Sequence, residues 1–362
     1  MKIFFYPSSS KNNKYIFNMK NSLKKENVDF VKEKFDNGFD NLIIYGLFSA
    51  LFKKIRVFHL NWIIDNFCKK NFESYKRYFL FKIWVYIMKS LNCKLIWTVH
   101  NIKPHKATND KLVDKVKKFI LKKFDYIIVH SRYSKNILKK NYKEEKIIYI
   151  PHGHYINNYK ITSKNFRKYF SIKKNDFVFL FIGQIRKYKN LELLIKSFSQ
   201  TDLKKAKLLI AGKPISNDYE NKITNLISDS NNIIFYSKFI KHENIPLFFS
   251  TADVTVIPYN KKSTLNSGVV YLSLSLKTPI IIPKIGTAYE FVDNNFVLYY
   301  DYESDEQHVD ELSKKLKNIY NMYVYNRSSL GKIGEQAYLN MRENYNWNDI
   351  SKELKKLYRG SS

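Results

Sequence analysis

Apolar residues in this chain gather into short unbroken runs, and between the runs they recur every three or four positions among lysines. The sharpest run is FVFLFI at 177–182, the pattern of a fully buried strand, and it stops at Gly183. Two cations follow, Arg186 and Lys189, and an amphipathic stretch over 191–198 then opens a helix. A strand ending at glycine before a basic turn and a helix suits an anion, because backbone N–H groups, the helix dipole and fixed charges converge there. Gly183 lets the chain bend and lets a ligand approach the main chain. The plain alternative is an ordinary βα turn with solvated lysines.

Similar runs at 3–6, 42–45, 57–60, 94–99 and 126–129 predict strands in the first half, with helices over about 14–25, 73–91, 110–124 and 133–141. After IIYI at 147–150 come Pro151-His152-Gly153-His154 and a polar tract over 157–168, which predicts a domain boundary. The alternation restarts with strands at 177–182, 207–211, 233–236, 254–257, 279–282 and 296–300, followed by a helical tail over about 305–358. Strands alternating with helices imply parallel, doubly wound sheets. The expected fold is α/β, with two Rossmann-like domains over 1–155 and 156–340. A tail over 341–362 is expected to pack back on the first. Ligand crevices are expected at the carboxyl ends of both sheets, facing each other.

With 362 residues, 44% of them hydrophobic and 16% aromatic, the chain holds enough apolar material for two cores, and this excludes a disordered protein. The net charge of +31 favours anionic partners: nucleotides, nucleic acid or an acidic membrane surface. Part of that charge is compositional, since Asn, Ile and Tyr are abundant alongside Lys. Cys68 and Cys93 form no C-x-x-C pair and no metal-ligand spacing, which suits a reduced, intracellular protein. No stretch approaches the eighteen or so apolar residues of a membrane span, and the first apolar run is too short for a signal peptide. A cytoplasmic protein, peripheral at the inner face of the membrane, is expected.

A second anion site is predicted where DVTVIPY at 253–259 ends and NSGVVYL at 266–272 begins a helix. Asn266 or Ser267 suits an N-cap, and Gly268 leaves first-turn amides uncovered. Capping alone would explain an S-G before a helix. Two such sites in one half, with Arg186 and Lys189, are what a diphosphate needs.

The order G-x-I-R-x-Y-K-N, A-G-K-P, P-Y, then S-G-V-V-Y-L-S-L-S-L-K-T-P-I-I resembles the C-terminal domain of GT-B glycosyltransferases. More closely, it resembles bacterial enzymes of the glycosyl transferases group 1 type. The resemblance implies that Gly183, Arg186 and Lys189 hold the donor diphosphate, joined by Thr264, Ser267 and Gly268. It also implies that Phe239 and Ile240 seat the nucleotide base. The family's E-x7-E falls on Thr264 and Leu272, neither of them acidic, so the usual ribose-binding carboxylate is missing. Glu290 sits where a nearby acid is common. The departure weakens the case for a retaining mechanism and tilts the expectation toward inversion.

The first half is similar to the N-terminal domain of the same enzymes in Tyr6-Pro7, Asn13-Lys14-Tyr15, His59-Leu60-Asn61-Trp62 and WTVHNIKPH at 97–105. His59 and His100 each end a predicted strand, and histidine titrates where a base for an acceptor hydroxyl is needed. His100 ranks first, then His59, with Asn13, Asn101 and His105 on the acceptor side. The alternative for each histidine is a structural hydrogen bond. His152 and His154 are expected to shape the domain boundary.

No metal or other cofactor is expected, because the acids at 301–306 precede a helix whose dipole they suit and no metal motif occurs. Basic amphipathic stretches at 110–124 and 75–89 suit an anionic lipid surface, and equally suit packing on a sheet. The expected activity is transfer from a nucleoside-diphosphate sugar to a glycan acceptor, lipid-linked, in surface polysaccharide synthesis. The other readings are a GT-B-fold sugar-nucleotide epimerase, a cationic nucleic-acid binder and a sugar-nucleotide sensor. Nucleic acid is disfavoured, since the aromatics sit in apolar runs.

Overall fold

The computed structural model describes residues 1–7, 13–31, 38–101, 108–140, 142–261 and 265–360. It divides into two units, Met1–Gly153 with Tyr345–Ser362, and His154–Asn344. The first holds strands β1 (Lys2–Tyr6), β2 (Asp29–Phe30), β3 (Val57–Asn61), β4 (Lys94–Val99), β5 (Tyr126–Val129) and β6 (Ile147–Tyr149). Its helices are α1 (Lys14–Lys25), α2 (Phe39–Leu51), α3 (Phe72–Ser90), α4 (Asp110–Lys123) and α5 (Arg132–Lys139). The second holds β7 (Phe177–Ile182), β8 (Ala206–Ala211), β9 (Ile233–Tyr236), β10 (Val254–Val256), β11 (Ile280–Pro283) and β12 (Val297–Tyr300). Helices α6 (Leu191–Ser199), α7 (Asn217–Leu226), α8 (Ile245–Thr251), α9 (Gly268–Ser275), α10 (Asp305–Tyr323) and α11 (Arg327–Asn344) surround that sheet. The last helix, α12 (Trp347–Arg359), belongs to the first unit.

Each unit carries a six-stranded parallel sheet, in the order β2-β1-β3-β4-β5-β6 and β12-β11-β10-β7-β8-β9. The strand order reverses beside β1 in one sheet and beside β7 in the other. Such a switch point opens a crevice at the carboxyl ends of the strands, where α/β proteins take ligands. β7 is buried along its whole length, as a strand covered on both faces requires. At the opposite end of that sheet, Asp253 accepts from the Val178 N–H at 2.7 Å and pairs with Arg167 and Arg327.

The structure corrects the strand expected at 42–45, which lies inside α2. Leu-Ile-Ile-Tyr is a run of the kind that periodicity cannot assign by itself, and what decides it is a longer helical face. Phe39, Leu42, Gly46, Ser49 and Ala50 point inward at helical spacing, and Gly46 leaves room for the Trp84 indole of α3. The edge strand β2 is too short for its pattern to mark it. Helix α4 buries Leu112, Val113, Val116, Ile120 and Leu121, so of the two readings of 110–124, lipid surface or packing on the sheet, its apolar stripe takes the second. Helix α12 inserts Trp347, Ile350, Leu354, Leu357 and Tyr358 into the core formed with α1 and the first sheet. Ser22 fixes it further, donating to the Trp347 carbonyl at 2.7 Å.

Candidate functional site

The switch point of the second sheet is built by the turn between β7 and α6. Gly183 has φ +119°, a backbone that disfavours side chains, and a Cβ there would lie 3.1 Å from Lys189 Nζ. Gly212, at the end of β8, approaches so closely that a Cβ on it would lie 2.0 Å from the Gly183 carbonyl oxygen. Ile185 is fully buried and bonded to Lys213 and Ile215, which fixes the turn beyond the glycine. Arg186 is half-buried, with Nε and one terminal nitrogen donating to Gln184 Oε1 at 2.9 and 2.6 Å. Asn190 takes a left-handed backbone before α6, and its side-chain nitrogen is buried with no acceptor among the described residues.

Lys189 is the notable cation. It is 6% exposed, with Nζ 4.9 Å from the centre of the Tyr259 ring, and no carboxylate is paired with it among the described residues. Burial first, and the neighbouring Arg186 charge second, push its ammonium down from 10.5 to about 7. A buried ammonium is costly unless an anion pairs with it, and here the Phe181 and Tyr259 rings are its aromatic neighbours. The loop after β10 joins this turn through Asn260 N–H, which donates to the Tyr188 carbonyl at 2.9 Å.

Helix α9 starts at Gly268, which is exposed, after Ser267 in the cap position. The Ser267 side chain does not cap the helix. It is buried without a well-formed hydrogen bond, beside the Tyr259 phenol. The segment before it is pinned by Thr287, whose N–H and hydroxyl both donate to the Leu265 carbonyl, while the Ser267 N–H donates to the Thr287 hydroxyl. Next to this cradle lies a cavity of about 340 Å³ bounded by Gly183, Gln184, Phe239, Ile240, Val269 and Leu272, among others. Phe239 forms an exposed lip. Glu290 is half-buried on the short helical turn Gly286–Phe291 and does not line the cavity. Thr264 lies outside the described residues. Of the acids at 301–306, Asp301 and Glu303 bind Lys261, and Ser304 caps α10.

In the first unit, the carboxyl ends of β3, β4 and β5 bring together a buried aromatic cluster. Trp62 takes a left-handed backbone with φ 46°, and its ring stacks on His100 at 3.9 Å between centres. His100 Nε2 lies 2.9 Å from Asn61 Oδ1, an acceptor that selects the Nε2–H tautomer. Burial first, then the neighbouring His130, His152 and His59, hold the His100 imidazole well below its ordinary value. His100 is therefore neutral at neutral pH. His59 is fully buried, with Nδ1 at 2.7 Å from the Tyr358 hydroxyl and Nε2 at 2.7 Å from the Thr98 hydroxyl. Both of its nitrogens are spent inside the core, and burial brings it down to about 3. Asn13 caps α1, its side-chain oxygen accepting from the Ile16 N–H. Asn101 follows β4 and is half-buried; His105 lies outside the described residues.

The centre of this cluster is Tyr15, with His100, His130, His152 and Trp347 packed around its ring. His130 Nδ1–H donates to the Ile150 carbonyl at 2.8 Å, leaving Nε2 to accept from the Tyr15 hydroxyl at 3.1 Å. The sequence also marks His130, which directly follows β5 as His100 follows β4, whereas His59, expected at a strand end, lies in the middle of β3. His152 faces this cluster and not only the domain boundary, its Nδ1–H donating to the Gly153 carbonyl. Among the described residues, no group of three or more His, Cys, Asp or Glu side chains is placed to hold a metal ion.

Residues 162–337 match the family model described as "Glycosyl transferases group 1", and residues 73–156 match "Glycosyltransferase Family 4". An uncharacterized glycosyltransferase of Methanocaldococcus jannaschii is 28% identical over 67% of this chain and 60% of its own length. A second from the same organism is 22% identical over 54% of this chain and 48% of its own. The chain spans about half the length of the curated relatives it matches. Sucrose-phosphate synthase from Thermosynechococcus elongatus superposes with a TM-score of 0.73 at 15% identity, covering 99% of this chain and 98% of that one. The Anabaena protein HepE in complex with UDP-glucose superposes with a TM-score of 0.73 at 15% identity, covering 99% and 100%. These likenesses show the fold, the GT-B arrangement of two Rossmann-like sheets with C-terminal helices.

Proposed function

We infer that this chain, a GT-B protein of the glycosyl transferases group 1 type, moves a sugar from a nucleoside-diphosphate donor to a hydroxyl of a lipid-linked glycan. One observation carries the reading: a buried, carboxylate-free lysine beside Gly183 and Arg186 at the switch point of the second sheet. A departing diphosphate needs donors from several loops at once, and Arg186, Lys189 and the start of α9 supply them. The complex of HepE with UDP-glucose supports a nucleotide-sugar donor. In this reading the cations and helix amides stabilise the leaving group without a metal.

The acceptor is assigned to the first unit, where neutral His100 takes the proton of the attacking hydroxyl while Asn61 holds its tautomer. Leu272 stands where the family has its ribose acid, so inversion with a true base is favoured. Assembly of a surface polysaccharide at the cytoplasmic face is the role that fits such an acceptor. The test is a thermal-unfolding screen of UDP-, GDP- and dTDP-sugars. A true donor at a hundred times its Kd adds about 2.7 kcal/mol of apparent stability. A flat response to all of them would sink the reading.

Peripheral contact with anionic lipid is assigned to α2 and its neighbour α3. On α3, Phe72, Tyr75, Phe79, Ile83 and Tyr86 are exposed at helical spacing, and on α2 so are Ile44, Phe48 and Leu51. Lys82 and Lys123 hold their ammonium groups over the Phe79 and Tyr86 rings. Aromatics among lysines on an exposed helix face suit an acidic membrane surface. No helix among the described residues is long and apolar enough to cross a membrane. Flotation with anionic vesicles should recover the protein, and Phe79→Asp with Ile83→Asp should lower recovery about tenfold at unchanged unfolding temperature. Equal recovery on neutral vesicles counts against the assignment.

A further inference from the structure

Building on the donor reading above, we propose that the nucleoside subsite does not read the 2′-hydroxyl, so that 2′-deoxynucleoside diphosphate sugars serve as readily as ribonucleoside ones. With the diphosphate at Gly183 and the start of α9, the pentose enters the adjoining cavity. Helix α9 turns Val269 and Leu272, three residues apart on one face, into that cavity. Val269 is close: its Cγ2 lies 3.9 Å from where a Cβ on Gly183 would stand. The wall beside the pentose is therefore a pair of branched hydrocarbons.

In dinucleotide-binding folds the ribose is read by a carboxylate that accepts from its hydroxyls. Among the described residues lining this cavity there is none. The polar side chains there are Gln184 and Lys213, and the Gln184 carbonyl oxygen already accepts two hydrogen bonds from Arg186. A 2′-hydroxyl thus gains no charged acceptor, and its absence strands no buried partner. Large discrimination against a missing hydroxyl arises only when the site's own polar groups are left unpaired by the analogue.

The experiment is isothermal titration of the full chain with UDP, GDP and ADP, each beside its 2′-deoxy counterpart. For whichever base binds most tightly, the two Kd values should agree within about threefold. A preference of about tenfold or more for the ribonucleotide would overturn the proposal. Failure of every pair to bind would overturn the donor reading, and this one with it. Leu272 is half-buried, lining the cavity and packing on the core beside it, and a folded Leu272→Glu should create a ribose preference of about tenfold or more. A folded Leu272→Glu with the ratio unchanged would remove Leu272 from the pentose. If that variant does not fold, the wild-type ratios decide alone.

Discussion

Lys189→Met is expected to slow sugar transfer about a thousandfold, the scale on which a donor aimed at developing charge contributes. Its unfolding temperature should stay level or rise, because methionine fills the space without the cost of a buried ammonium. The reasoning runs through the proton. In the folded chain burial and the Arg186 charge bring Lys189 down to about 7, whereas in the unfolded chain it returns to 10.5. Its folded value is the lower one, so between those limits the unfolded state holds the extra proton. Stability from this group then rises with pH across that window, and the penalty is fully present below pH 7. A bound diphosphate favours the charged ammonium and reverses the shift. Donor binding above pH 7 must therefore take up a proton, and affinity should fall as pH climbs from 7 to 9. Calorimetric titrations at pH 8 in buffers of different ionisation enthalpy should read close to one proton taken up, and none from this group in Lys189→Met. A variant with wild-type turnover and wild-type uptake would remove Lys189 from the diphosphate.

His100→Ala should lose between about a hundredfold and ten-thousandfold in transfer, the usual contribution of a general base. Nucleotide binding, which the proposal places in the other unit, should be spared, and this separates lost chemistry from lost folding. Because burial lowers the imidazole, its free-base form persists well below its ordinary titration range. Transfer at saturating donor should therefore stay level from pH 8 to pH 6 as far as this group is concerned. A steep fall in that interval, or near-normal transfer by His100→Ala, would take the role from His100.

Much of the architecture could be read from the chain because its signals are local. FVFLFI at 177–182 has the hydrophobicity of a strand covered twice, and α1 carries its own cap in Asn13 and its own apolar face. Where local signals were shared by two structures, reading failed. Leu42 to Tyr45 satisfies a strand, and it takes the longer inward face from Phe39 to Ala50, with Gly46 packed on Trp84, to make it a helix. The turn after β7 was legible in residue type as a strand stopped by Gly183 before two cations and a helix, and its use for an anion is the proposal made above. The burial of Lys189, which sets its chemistry, depends on Tyr259 from a distant loop. His59 looked like a ligand-facing strand end, yet its partners include Tyr358 near the far end of the chain. No window of sequence contains both, and the same distance hid the convergence of His130, Tyr15 and Trp347.

The first unit is interrupted in sequence, since α12 comes back to it after all of the second. During synthesis the later lobe therefore leaves the ribosome entire while the earlier one still lacks a wall, with His59 and Tyr15 waiting for Tyr358 and Trp347. Dissecting the lobes for separate expression must graft residues 345–362 onto 1–153, since a simple cut at the boundary strands that core open to water.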